Sequence, residues 1–143
     1  MYEKVAELEF TDSTDAELEL VVYSETDFDG EIARLTLTDD DTHECVNFYL
    51  TPAQAKKVRK ALKPGAKQAE KPKVGPRCPL RQQVSVPGNY GREIELSLWG
   101  EDDDEGDVGD LSIRLEGSRV AHTYLSRDAA RQLRDALIAG LGD

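Results

Sequence analysis

The sequence predicts an α+β protein: an antiparallel β-meander of three or four strands followed by one α-helix, internally duplicated, with the two copies forming a pseudo-dimer. Three observations predict it. The chain matches itself at a shift of about 75 residues, the hydrophobic period changes inside each copy from two to about 3.6, and a stretch rich in proline, glycine and lysine separates the copies. An apolar content of 38% over 143 residues is thin for one large core and ample for small sheet-and-helix layers.

At a shift of 75, Tyr49-Leu50-Thr51 falls on Tyr124-Leu125-Ser126, and Ala55, Arg59, Ala61 and Leu62 fall on Ala130, Arg134, Ala136 and Leu137. At a shift of 76, Glu17-Leu18-Glu19-Leu20 falls on Glu93-Ile94-Glu95-Leu96, Tyr23 falls on Trp99, and Leu8 and Phe10 reach Val84 and Val86. The offset drifts only within acidic loops, where insertions are tolerated.

Each copy follows the same order. Leu18, Leu20 and Val22 alternate with polar residues and share one face of a strand, as do Ile94, Leu96 and Leu98. Leu35 and Leu37 mark the next strand, matched by Leu111, Ile113 and Leu115. Val46, Phe48 and Leu50 mark the last, matched less cleanly between Val120 and Leu125. The acidic stretches between them (Asp27 to Gly30, Asp39 to Asp41, Glu101 to Asp107) read as hairpin turns. Thr51 then opens a helix as N-cap, with Pro52 at the first helical position and Gln54 closing a capping box. Ala55, Val58 and Leu62 follow at helical spacing, and Ala130, Leu133 and Leu137 do the same after Ser126.

The copies span residues 1–63 and 80–143. Between them, residues 64–79 are expected to form an extended linker, because prolines and glycines forbid helix and central strand there. Such a linker would allow the copies to pack together or hold them apart.

Charge is distributed as unevenly as structure. Residues 1–51 hold 15 acidic side chains against Lys4 and Arg34, residues 52–81 hold ten Lys and Arg against Glu70, and the net charge is −11. A basic segment between two acidic ones implies a charged partner or a fold-back contact. Lys56, Lys57, Arg59, Lys60, Lys63, Lys67, Lys71 and Lys73 are the candidates to meet phosphates or an acidic partner. Asp39, Asp40, Asp41, Glu101, Asp102, Asp103, Asp104, Glu105 and Asp107 form the acidic clusters that would imitate a DNA backbone towards a DNA-binding protein.

Catalytic chemistry has no visible seat. Only two histidines are present, neither belongs to a nucleophile–base constellation, and no glycine-rich phosphate loop occurs. His43, Cys45, Cys78 and His122 lack zinc-ligand spacing, and Asp27-Phe28-Asp29-Gly30 does not satisfy the EF-hand pattern. No catalytic residue, metal or cofactor is therefore expected, and the protein is read as no enzyme. Without a signal-peptide pattern, a long apolar run or a disulfide framework, a reducing cytoplasm is the expected home and no membrane partner is implied.

The second faces of the strands remain to be explained. They carry Val21, Tyr23 and Trp99, with Tyr49 and Tyr124 also out of phase with the core positions. These five are the candidate interaction surface, through which the two sheets would meet or another copy would dock. The expected function is a non-catalytic acidic module for protein interaction or oligomerisation, with a protein or itself as partner. The alternative is a nucleic-acid-linked regulator that binds DNA weakly through residues 56–77 or acts as an acidic DNA mimic.

Asp27-Phe28-Asp29-Gly30 in a turn, then Leu50-Thr51 opening a helix with Ala55 and Val58-Arg59, form one more pattern. In the second copy the counterparts are Leu125-Ser126, Ala130 and Leu133-Arg134. In this each copy resembles the N-terminal oligomerisation domain of the H-NS-like xenogeneic-silencing nucleoid proteins. Neither the Arg/Gly-rich linker nor the DNA-reading domain of that family has a counterpart in these residues. The resemblance therefore implies self-association through strands and helix rather than DNA readout.

Overall fold

A computed structural model of the chain describes residues 3–12, 14–39, 43–67, 80–88, 91–99 and 106–142, with the backbone alone for 63–67, 80–84 and 99. It is an α+β fold of two four-stranded antiparallel sheets and two helices. The first sheet runs β1 (Lys4–Thr11), β2 (Glu17–Tyr23), β3 (Ala33–Thr38) and β4 (Cys45–Leu50) in simple meander order, followed by α1 (Pro52–Lys67). The second runs β5 (Leu80–Pro87), β6 (Arg92–Trp99), β7 (Asp107–Leu115) and β8 (Ser118–Ser126), followed by α2 (Arg127–Leu141).

The period-two pattern becomes rows of apolar side chains across each sheet. Phe10, Leu18, Leu37 and Val46 lie opposite one another in one row, and Leu8, Leu20, Leu35 and Phe48 in the next. In the second sheet Val86, Ile94, Ile113 and Ala121 form the row that corresponds to the first of these. Even the irregularities agree: the β1–β2 ladder slips between Lys4 and Ala6, and the β5–β6 ladder slips between Leu80 and Gln82, at the matching place.

The helices start as their caps dictate. Gln54 N–H donates to Thr51 Oγ1 at 3.3 Å while Thr51 N–H donates to Gln54 Oε1 at 2.8 Å, a reciprocal box. Ser126 Oγ accepts from Ala129 N–H at 3.1 Å, and Gly142 ends α2 in the left-handed region with φ of 76°. One expectation is corrected here: α1 continues to Lys67, so residues 64–67 are helical and not extended linker. A proline removes one main-chain bond and disfavours helix at the residue before it, which weakens a helix without forbidding it. Residues 68–79 lie outside the described residues.

The helices are exchanged between the sheets. Besides packing against each other, α1 lies on β5, β6 and β7, while α2 lies on β1 and β2. The apolar stripe of each helix therefore covers the inward face of the other half's sheet. Gly140 shows how close the approach is: a β-carbon there would sit 2.0 Å from Val22 Cγ1. One hydrophobic core results, joining Leu20, Phe48 and Leu62 to Ile94, Leu111 and Leu137. For Tyr23 and Tyr49, which line an outer cleft of the first sheet, the expectation that they join the sheets is corrected, because the described halves meet through their inward leucines and helices. Exchange satisfies the same periodicity as a local arrangement would, so the pattern could not reveal it.

Two matching joints reinforce the exchange at the hairpin ends. In one, Gly88 of the β5–β6 hairpin lies against Phe48, where a β-carbon would stand 2.5 Å from the ring, and Arg92 Nη1 donates to Asn47 O at 2.9 Å. In the other, Asp12 of the β1–β2 hairpin accepts from Thr123 Oγ1 at 3.0 Å and from Tyr124 N–H at 2.9 Å. Thr123 occupies in β8 the place of Phe48 in β4, and this bond satisfies its buried hydroxyl. Burial alone would raise the Asp12 carboxyl, but the bonds from Thr14, Tyr124 and Thr123 together hold it below its ordinary value of 3.8. A depressed folded pKa means stability that is present above 3.8 and lost as pH falls below it through the lower folded value. Asp12→Ala should cost about 1–3 kcal/mol at pH 7. The deficit relative to wild type should shrink through that acid range, as read by urea unfolding at several pH values.

Candidate functional site

The loop joining β2 to β3 is built by one aspartate. Asp27 Oδ1 accepts from the N–H groups of Asp29 and Glu31, both at 2.9 Å, and Gly30 takes the left-handed turn at φ 79°. This leaves Phe28 at the tip with 99% of its surface exposed. Asp27, Asp29 and Glu31 bring one carboxylate oxygen each within 4.8 Å of one another. Burial, and the charges of Asp27 and Asp29, push the Glu31 carboxyl above its ordinary value. These three could hold a hard cation; calcium takes about six to eight oxygens, so most ligands would be water.

The same loop walls a cleft of about 300 Å³ on the outer side of the first sheet, lined by Tyr23, Glu25, Asp27, Glu31, Ala33, Arg34 and Tyr49. Register explains the assembly: Arg34 of β3 stands between Val21 of β2 and Tyr49 of β4. Arg34 Nη2 is turned to Glu19 Oε1 at 3.3 Å. Beyond the cleft the face is acidic, with Glu7, Glu9, Glu17 and Glu19 on β1 and β2, and Glu9 directly opposite Glu19. Like charges placed opposite in a ladder cost stability. The arrangement offers two ring faces and several carboxylates to a cationic group.

The structure distributes the expected surface residues unequally. Tyr23 is half-buried and Tyr49 is 43% exposed, both at the cleft. Val21 is corrected: at 2% exposure it is buried in the sheet, opposite Glu7 on one side and Arg34 on the other, and presents nothing to a partner. Tyr124 lies on the other sheet, its ring 5.3 Å from His122 and edge-on to it. Trp99 ends β6, and its side chain lies outside the described residues.

Of the basic residues, Lys56, Lys57 and Lys60 are exposed on α1. Arg59 is half-buried and lines a groove of about 330 Å³ between the helices with Lys60, Arg134 and Ile138. The side chains of Lys63 and Lys67, and all of Lys71 and Lys73, lie outside the described residues. So do Asp40, Asp41, Glu101, Asp102, Asp103, Asp104 and Glu105. Asp39 continues from β3 into its turn. Asp107 is corrected: it is 7% exposed at the start of β7 and does not belong to a solvated acidic cluster.

On the outer side of the second sheet, Ser112 faces His122, and Asp110 stands two residues away opposite Tyr124. Among the described residues no hydrogen bond joins Ser112, His122 and Asp110. Burial raises the Asp110 carboxyl, against the pull of His122 and Arg119, and Glu95 adds to the rise. A raised carboxyl pKa means the folded state gains stability as pH falls from the raised value towards 3.8. Asp110→Asn should therefore melt higher than wild type at pH 7, with the difference narrowing in acid, as thermal melts at both pH values would record.

No protein-family model and no curated protein sequence matches the chain. Reading the sequence missed Phe28, Glu25 and Glu31 as site residues, and Arg134 as the neighbour of Arg59. The signal for Phe28 was present: an aromatic between two turn aspartates belongs to neither hydrophobic period. Among the described residues no helix is long and apolar enough to cross a membrane.

Proposed function

We propose that the protein is a non-catalytic interaction module: an internally duplicated meander-plus-helix unit, folded as a pseudo-dimer within one chain, that holds a basic protein partner on its first sheet. The matching ladders, slips and hairpin joints of the two halves support the duplication. One observation carries the binding reading. Phe28 stands fully exposed beside a cleft walled by Tyr23, Tyr49, Glu25, Asp27 and Glu31. An exposed aromatic beside a group of carboxylates suits a partner segment with cationic side chains and an apolar anchor.

Fluorescence anisotropy with a labelled arginine-rich peptide tests it. Binding should weaken steeply with salt, and by about tenfold or more in Phe28→Ser or Glu31→Lys. Val120→Ser, on the other sheet, should leave it unchanged. Equal affinity in all three variants would defeat the reading. A second reading, nucleic-acid-linked regulation, draws on the exposed Lys56, Lys57 and Lys60. A duplex-DNA mobility shift that fades between low and moderate salt would favour it over the first.

A further inference from the structure

We infer that the outer cleft of the first sheet receives a trimethylated lysine of the basic partner, with its quaternary ammonium seated between Tyr23 and Tyr49. The assignment rests on the proposed role of this sheet as holder of a basic partner, and it names the group that anchors that partner. The two tyrosines come from β2 and β4, on either side of β3, and both line the cleft. Strands two places apart lie about 10 Å from each other. A cation seated over β3 can therefore come within about 6 Å of both rings, the distance at which a ring face attracts positive charge. The volume of about 300 Å³ lies at the small end of ligand pockets and suits the end of one side chain.

The cations already on this face are directed elsewhere. Arg34 stands opposite Val21, and in β2 Glu19 and Tyr23 lie two residues to either side of Val21. Its Nη2 is turned to Glu19, and so away from Tyr23. Lys4, opposite Tyr23 on β1, is bonded to Glu7 at 2.8 Å. Among the described residues Asp27, Asp29 and Glu31 form no salt bridge, and Asp27 and Glu31 wall the cleft. Burial and the charges of Asp27 and Asp29 hold the Glu31 carboxyl above its ordinary value, a crowding that a cation in the cleft relieves. The tyrosines decide which cation fits best. A metal ion asks for about six to eight oxygens, and an unmethylated ammonium has three N–H donors that water satisfies better than a ring does. A trimethylammonium has no donor to satisfy, carries its charge on apolar methyl groups and gains from ring faces with carboxylates near by.

Two lysine-rich peptides, identical except that one carries a single trimethylated lysine, test the site when each is titrated into the protein by fluorescence anisotropy. The trimethylated peptide should bind about threefold to tenfold tighter. Tyr49→Ala should abolish that preference and Tyr49→Phe should keep it, with circular dichroism showing both variants folded. Equal binding of the two peptides to the wild type would overturn the trimethylammonium site while leaving the basic-partner reading standing. Binding of neither peptide would overturn both. A preference that survives Tyr49→Ala would overturn the site as well, since the methyl groups would then be read elsewhere. Tetramethylammonium chloride should displace the trimethylated peptide only at far higher concentration. Should it bind as tightly as the peptide, the ligand is a free small cation and the assignment to a partner's side chain falls.

Discussion

Leu62→Ala is expected to unfold both halves of the molecule in a single transition, with a loss of about 2–5 kcal/mol. Read from sequence alone, Leu62 is the last inward residue of the first helix, and its removal would unfold the first copy, with or without the second. Exchange changes the consequence. Leu62 is fully buried, and α1 lies on β5, β6 and β7, so the cavity opens in a core shared by both halves. Against a total stability of about 5–15 kcal/mol this is a large share. Urea unfolding followed by far-ultraviolet circular dichroism and by Trp99 fluorescence should give coincident curves. Lys57→Glu, exposed on the same helix, should leave the midpoint nearly unchanged. Separate transitions for the two probes would mean that the halves fold independently and that the shared core is not cooperative.

Gly140→Val should be at least as damaging. Every side chain added at Gly140 begins with a β-carbon 2.0 Å from Val22 Cγ1, and Val22 is a buried β-branched residue near the end of β2. The helix must lift from the first sheet or the strand must move, at a cost of about 3 kcal/mol for the bulkier variant. Gly140→Ala separates the clash from any general effect on the helix. Alanine favours helix over glycine by about 1 kcal/mol, so any net loss is a lower bound on the steric conflict. Combining it with Val22→Ala removes the opposing methyls. The double variant should be more stable than the two single losses added together, a coupling that a double-mutant cycle reads directly. Simple additivity would show that α2 does not rest on β2 at this point.

These expectations rest on features that the sequence carried to different degrees. Alternation of Leu18, Leu20 and Val22 with polar residues determined a strand and its buried face. Thr51, Pro52 and Gln54 determined where α1 begins, because local hydrogen bonds and a fixed φ need only neighbouring residues. The self-match at 75 and 76 residues determined that both halves share one element order. Tertiary structure alone decided which sheet each helix covers, since an amphipathic stripe specifies an apolar partner and not its identity. It also decided that Val21 is packed, that Arg59 and Arg134 line one groove, and that Asp12 reaches across more than a hundred residues to Thr123. Each of those depends on distances between segments remote in the chain, and periodicity holds no information about such distances.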